Sequence, residues 1–280
     1  MTLPHRPAGP GFGPPLRDRT GPPPRFRTAS AEDVRAALAD LAGLGGFFPV
    51  PAAGEEPAGT GEEAGWRPLA GLREPAYLDG RVEATRRVFA GRTGIAPEEV
   101  PPRIAASVLH LGIAERLLSP AIGAAVLHGV VPDPGAWRWR PAPRGPLPLL
   151  AGGGGAAVPD PQADPAGAAE ALAAGYLDGL VEPVSRAVAS RVAVSPRVLR
   201  GNAASAFAGA VRHLSEARPE AAPGASALLR AVLSRRPLNG AGRLDGSGRF
   251  TRRSCCLYYR LPDGGKCGDC ILLRSGESSR

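Results

Sequence analysis

Cysteine is scarce in this 280-residue chain and confined to one place. Cys255, Cys256, Cys267 and Cys270 fall within 16 residues, and no cysteine occurs elsewhere. Lysine is scarcer still: Lys266 stands alone among 34 basic residues, so arginine carries the positive charge. Aromatic residues make up 5% of the chain, which leaves few large anchors for a core. No run of 18 apolar residues occurs, which excludes a transmembrane helix. Residues 1–27 are rich in Pro, Gly and Arg and have no apolar stretch, which excludes a secretory signal there.

Several catalytic classes are excluded in the same way. The glycine run at Gly152–Gly155 is not followed by Gly-Lys-Ser/Thr, so it is no P-loop, and no dinucleotide-binding fingerprint is present. Direct binding of a nicotinamide cofactor is therefore not expected. The four histidines, His5, His110, His128 and His213, share no metal-ligand spacing and read as satisfied surface or groove residues. Paired carboxylates for acid–base chemistry are not evident. Asp79 with Glu83, and Asp178 with Glu182, recur at i,i+4 spacing and read as packing features.

What is present is alanine, arginine, glycine and proline. The apolar share is 43%, enough for a core, and alanine is the strongest helix former with the least side-chain volume. Close-packed helices follow, interrupted by loops, since there are 38 glycines and 32 prolines. The formal net charge is +8 with a pI near 10.1. The arginines are spread along the whole chain without a basic-aromatic stripe. That speaks against nucleic acid and for a general attraction to anionic ligands.

The chain divides into segments by composition. Residues 1–27 read as a disordered arm. A first helical unit spans 28–150, with a surface linker at 51–65. It opens on a short helix capped by Ser30, with Val34, Leu38 and Leu41 on one face and Gly43, Gly45 and Gly46 at its end. A Gly/Pro loop occupies 151–165, a second helical unit 166–248, and a cysteine-bearing segment 249–275. The two units are related. Tyr77-Leu78-Asp79-Gly80 recurs 99 residues later as Tyr176-Leu177-Asp178-Gly179, and the 21 positions from 77 to 97 hold ten identities without a gap.

Each copy reads as a helical pair plus a third helix. In the first, Leu78, Val82, Thr85 and Phe89 share a face. A second helix begins at Pro101-Pro102 and stops at Ser119-Pro120, and a third lies near 121–129. In the second, Tyr176, Leu180, Val184 and Ala187 share a face, and Pro183 introduces a kink. A helix capped by Ser195 then runs to about Ala217. Its run Asn202 to Ala210 is nearly all small residues, which admits another backbone at close range. A last helix lies near 224–234. Strand character is expected at 136–140, 147–150 and 249–252. The fold class is mainly α with a few short strands.

The cysteine constellation is the most specific feature. Thiolates are soft ligands suited to zinc or iron–sulfur clusters, and thiols stay reduced in the cytoplasm, where this chain is expected to work. Cys267-Gly268-Asp269-Cys270 is a generic metal pair. The Cys255-Cys256 doublet is unusual, because successive side chains on an extended strand point apart. Both can address one object where the backbone turns, and a two-iron cluster accommodates that better than a single ion. Structural zinc, a disulfide or redox pair, and incidental cysteines are the competing readings. The spacing matches neither plant-type ferredoxins nor Rieske centres.

The run Arg252-Arg253-Ser254-Cys255-Cys256-Leu257-Tyr258-Tyr259-Arg260, then Gly264-Gly265-Lys266-Cys267-Gly268-Asp269-Cys270, resembles the C-terminal signature of FhuF-like ferric iron (siderophore) reductases. The Gly201 to Ala206 stretch is similar to actinobacterial members. The resemblance covers about 30 C-terminal residues. It implies a [2Fe–2S] cluster held by Cys255, Cys256, Cys267 and Cys270, in a Cys-Cys-x10-Cys-x2-Cys pattern that this chain matches. It also implies one-electron reduction of Fe(III) in a siderophore, in the cytoplasm or peripherally at the inner face of the membrane. No catalytic residue is expected beyond the cluster.

The expected partners are a ferric siderophore, bound in a groove between the units near the cluster, and an external electron donor, a ferredoxin or flavin reductase. Arg249, Arg252, Arg253 and Arg260 are candidates for tuning the cluster or docking an anion. Backbone N–H groups of Gly264, Gly265 and Gly268 are candidate donors to sulfur. Tyr258 and Tyr259 read as ordinary packing, and Lys266 as an exposed side chain. The alternative is a non-catalytic electron carrier or iron/redox sensor, and a zinc-stabilised binding module is a third class.

Overall fold

The computed structural model describes residues 26–54, 65–142 and 145–273. Most of the expected arm (1–27), positions 55–64 of the expected linker, and the end of the cysteine segment past Leu273 lie outside these. The described residues build a mainly helical protein with a few short strands, as the composition predicts.

Helix α1 (Ala31–Ala42) begins where Ser30 caps it. The Ser30 hydroxyl accepts from Asp33 N–H at 3.1 Å, and Asp33 Oδ2 accepts from Ser30 N–H at 2.9 Å, a reciprocal capping box. Helices α2 (Pro75–Thr93), α3 (Pro102–His128), α4 (Pro165–Leu172), α5 (Glu182–Arg191), α6 (Pro196–Ala217) and α7 (Ala222–Ser234) follow. Prolines sit at the starts of α2, α3, α4 and α6, where a missing N–H costs nothing.

Two helices depart from the sequence reading. The expected break at Ser119-Pro120 does not occur: α3 runs through it to His128. Proline inside a helix costs about 3 kcal/mol. Here it is surrounded by buried residues from Ile113 to Ala125, and that burial outweighs the loss. The second departure is in the second repeat. A π-helical segment, Ala173–Val181, joins α4 to α5 and contains Tyr176-Leu177-Asp178-Gly179. Its wider turn shifts the buried face from the expected Tyr176, Leu180, Val184 and Ala187 to Tyr176, Leu177, Val181, Val184 and Val188. Pro183 then falls in the first turn of α5, where it is tolerated.

The helices share one apolar core. Its axis is the pair α3 and α6, which pack more extensively than any other two elements. The small-residue run of α6 allows this, with Ala203, Ala204, Ala206 and Ala210 all buried. This pair packs helices of the first and second expected units directly against each other. Helix α1 crosses α3 closely at Gly123, where a Cβ would come within 2.6 Å of Leu41 Cδ2.

The strands are short and antiparallel. β1 (Thr28–Ala29), β6 (Gly155–Ala157) and β3 (Val130–Pro132) form one sheet in that order. β2 (Arg67–Pro68), β4 (Arg138–Trp139) and β5 (Leu149–Leu150) form a second. Strand character at 136–140 and 147–150 is thus realised as the β4–β5 pair. The sequence between Ala151 and Pro165, read as a loop, includes β6. The third sheet is the hairpin β7 (Gly242–Leu244) with β8 (Phe250–Arg252), and β8 packs on α6. This hairpin carries the chain to the cysteines.

Candidate functional site

The site is built by a hairpin, a helix face and two tight turns. Asp245 shapes the hairpin connection: its Oδ1 accepts from Ser247 N–H at 2.9 Å and Arg249 N–H at 3.0 Å. Strand β8 then lays Arg252 against α6, and Ser254 follows, buried. Gly201 of α6 makes this approach possible. A Cβ there would overlap Ser254 Oγ and stand 3.2 Å from Arg252 Nη2.

After the doublet the chain turns sharply. Leu257 has φ 74°, a left-handed conformation that is unusual without glycine. This turn resolves the difficulty posed by adjacent cysteines, because it bends the backbone immediately after Cys256. A 3₁₀ turn (Tyr258–Arg260) and buried Leu261 follow. At Gly264 a Cβ would overlap Tyr258 O, so glycine is required there. The Cys267–Cys270 turn is closed by Cys270 N–H to Cys267 O at 3.0 Å. It is tied back to the hairpin by Arg252 N–H to Asp269 O at 3.0 Å and by Arg249 Nη2 to Gly268 O at 3.1 Å.

The structure brings the doublet and the Cys-x-x-Cys turn together. All four cysteines are free thiols, and Cys256 Sγ lies 4.0 Å from Cys267 Sγ. Cys256 and Cys270 are buried, whereas Cys255 and Cys267 are half-buried. The two turns present sulfur in the same way: Leu257 N–H points at Cys255 Sγ at 3.3 Å, and Leu272 N–H at Cys270 Sγ at 3.4 Å. N–H donors to sulfur stabilise added negative charge on a cluster. These two donors are leucines; of the expected glycines, Gly264 spends its N–H on Leu261 O at 2.9 Å.

Thiol electrostatics single out Cys256. S–H donors from Cys255 and Cys267, then the Tyr258 N–H and the Arg252 charge, hold its thiol well below the ordinary value. Cys255 and Cys267 are pushed up, first by donating to Cys256 and then by burial.

The arginines divide. Arg249, Arg253 and Arg260 are exposed, while Arg252 is 0% exposed. Arg260 lies over the Tyr259 ring and donates to its hydroxyl at 3.3 Å. Tyr258 packs on Phe89 of α2, with ring centroids 5.6 Å apart. Lys266, expected to be exposed, is half-buried. Tyr259, Ile271 and Leu272 are exposed large apolar side chains, and all three neighbour cysteines in sequence.

Sequence reasoning passed over the polar layer beneath the site. Asn202, read only as part of a small-residue run, is fully buried. It donates to Ser107 O at 2.8 Å and Ser107 Oγ at 3.1 Å, while its Oδ1 accepts from Arg252. His110, expected at the surface or in a groove, is buried and bonded through Nε2 to Ser185 Oγ at 2.8 Å. Burial, then the nearby Arg252 charge, lowers its pKa to about 4. Glu115 of α3 faces Asp269; burial, then that carboxylate, raises its pKa to about 7. The one available signal was a polar Asn inside an otherwise apolar helix run.

The repeated acidic residues do serve packing. Asp79 makes a two-pronged ion pair with Arg191 at 3.0 and 2.6 Å, joining the first copy to the second. Glu83 pairs with Arg86 and Glu182 with Arg186 along their own helices. His213 bonds Leu44 O at 2.9 Å.

The arrangement fits a two-iron cluster on three counts. The donors are all sulfur, the two turns supply N–H groups to sulfur, and a buried cation adjoins them. Among the described residues no three His, Cys, Asp or Glu side chains converge on a position that could hold a metal ion. The model of the FhuF 2Fe-2S C-terminal domain matches residues 252–270, a span that opens at Arg252 and closes at Cys270. No curated protein matches the chain. The segment is a [2Fe–2S]-binding module on a mainly helical protein. No described helix is long and apolar enough to cross a membrane.

Proposed function

We propose that this protein is a [2Fe–2S] ferric-siderophore reductase. It passes one electron to Fe(III) held in a siderophore chelate, and the metal leaves as Fe(II). The observation that carries the reading is the coincidence of the 2Fe-2S domain match with a half-exposed pair, Cys255 and Cys267, above a buried pair, Cys256 and Cys270. In this reading all four cysteines are the cluster ligands. The cluster, when bound, stores the single electron that the reaction needs.

The chain's own residues do the rest. Cys256 and Cys270 anchor the group against the fold, and the Leu257 and Leu272 N–H groups stabilise sulfur charge. Arg249, Arg253 and Arg260 present positive charge at the surface, suited to drawing an anionic chelate or donor protein. Siderophores hold Fe(II) far more weakly than Fe(III), so reduction releases the metal. The electron arrives from a separate ferredoxin or flavin reductase, in the cytoplasm or at the inner face of the membrane.

In this reading the chain comprises a first unit (28–150), a second (166–248) and a cluster segment (249–275) that follows the second repeat. Two surface cavities of the described residues lie elsewhere. One is lined by α1 with Ala151 to Gly153, the other by the end of α3 with Asp160 to Gln162. In this reading the chelate meets the half-exposed Cys255 and Cys267. The alternative, a carrier or redox sensor, is favoured by one observation: Tyr259, Ile271 and Leu272 expose apolar surface suited to a protein partner.

The test is single turnover. Protein reduced anaerobically is mixed with ferric hydroxamate and ferric catecholate siderophores, with a ferrous chelator as trap. Oxidation of the protein in step with Fe(II) appearance supports the reductase. A reduced protein that transfers no electron to any ferric siderophore leaves the carrier reading.

A further inference from the structure

Arg252 is a buried cation with no anionic partner. Its side chain is 0% exposed, and its Nε and Nη1 have no hydrogen-bond partner among the described residues. Only Nη2 is engaged, and its acceptor is the neutral amide of Asn202. No ion pair joins Arg252 to a carboxylate among the described residues, although Asp269 accepts its backbone N–H at 3.0 Å. The contrast with the other buried arginine is direct. Arg116 gives Nε to Leu147 O and Nη1 to Phe47 O, both at 2.9 Å. An isolated buried charge costs several kcal/mol unless something compensates it.

The surroundings keep that charge single and fixed. Asn202 is locked by two bonds to Ser107 of α3, so it holds the guanidinium from the core side. His110, the other ionisable group facing Arg252 from α3, is held neutral, so it adds no second charge. Ser254 Oγ and Asp269 Oδ2 are also buried without partners. What the layer adjoins is the cysteine set: Arg252 lies three residues before Cys255, and its backbone N–H bonds Asp269 O at 3.0 Å, within the Cys267–Cys270 turn.

We propose that Arg252 is the internal counter-charge of the cluster and that Asn202 is the residue that positions it. The inference rests on the [2Fe–2S] reading above. An oxidised all-cysteine [2Fe–2S] unit carries two negative charges, and reduction adds a third. A desolvated cation beside it favours the reduced form and raises the potential. The exposed Arg249, Arg253 and Arg260 are screened by water and salt, so their effect is smaller. A neutral Asn at position 202 is essential to this role, since a carboxylate there would cancel the charge.

The experiment is a redox titration of purified, cluster-loaded variants followed by visible absorbance and EPR. Arg252→Gln is expected to shift the one-electron equilibrium toward the oxidised form by about tenfold or more, a fall of about 59 mV. Arg252→Lys, which keeps the charge, is expected to shift it by less. An Arg252→Gln chain that keeps native helical content but loses its cluster, while Arg252→Lys keeps it, also supports the role. Arg252→Gln with full iron and sulfide and an unchanged potential overturns it.

If Arg252→Gln does not fold, Asn202→Asp decides. It retains the arginine and neutralises it, so a potential lowered about tenfold in equilibrium supports the proposal and an unchanged one overturns it. A wild-type protein without a two-iron cluster would instead defeat the reading on which this inference rests, and iron and sulfide analysis of the wild type distinguishes the two failures.

Discussion

Cys256 Sγ lies 4.0 Å from Cys267 Sγ, so the doublet and the Cys-x-x-Cys turn meet although ten residues separate them. The left-handed turn at Leu257 and the backbone bond from Arg252 to Asp269 make that meeting possible. Replacing Cys255 or Cys270 by Ser is expected to abolish the visible absorbance of the anaerobically purified protein and its bound iron. The helical circular dichroism should persist, because the core lies along α3 and α6. A Ser variant that keeps its cluster would show the ligand set to be wrong.

Gly201 is the point where α6 admits the cysteine segment. Glycine to alanine inside a helix normally stabilises by about 1 kcal/mol. Here the added Cβ overlaps Ser254 Oγ and crowds Arg252. Gly201→Ala is therefore expected to destabilise by about 1–3 kcal/mol and to lower cluster occupancy. Gly201→Ala with Ser254→Ala should recover part of both, measured by thermal unfolding and iron content. A stabilised single variant would contradict the close approach.

His110 gives the fold an acid-sensitive point. Its folded pKa, about 4, lies below the ordinary histidine value of 6.5. The unfolded chain therefore binds the extra proton between those values, and stability falls as pH drops through that window. At about 1.4 kcal/mol per unit the full effect is about 3 kcal/mol. Urea denaturation at pH 7.5, 6 and 5 should show a steeper loss for the wild type than for His110→Gln. Equal slopes would rule out a neutral buried His110.

Glu115 works in the opposite direction. Its folded pKa, about 7, lies above the ordinary glutamate value of 4.5, because of burial and then Asp269. The folded state holds the proton more tightly, so this group's contribution is full below the lower value and is lost as pH rises through the upper one. Glu115→Gln is expected to be more stable than the wild type at pH 8, by up to about 3 kcal/mol, and little changed at pH 4.5. A variant destabilised equally at both pH values would contradict this.

Much of this molecule is legible in its sequence. Ser30 caps α1 as expected, and Leu78, Val82 and Phe89 of α2 are buried together. The small residues of α6 mark it as the central helix, and the Arg249–Arg252 stretch is a strand as far as Phe250–Arg252. The misreadings are physical. Pro120 looked like a terminator, and burial on all sides overrode it. The second Tyr-Leu-Asp-Gly looked like plain α-helix, and a π turn rotates its face. At the site, sulfur spacing was readable because it is local. The Ser107–Asn202–Arg252 layer was not, because Ser107 and Asn202 are 95 residues apart and Asn202 and Arg252 a further 50, so no local pattern links them.

The most direct test of the account is EPR of the dithionite-reduced protein, combined with iron and acid-labile sulfide analysis of the same anaerobic preparation. The account predicts red-brown protein that bleaches on reduction, iron and sulfide in equal amounts at about two per chain, and an unpaired-electron signal only after reduction. Colourless protein with stoichiometric zinc and no signal would contradict it.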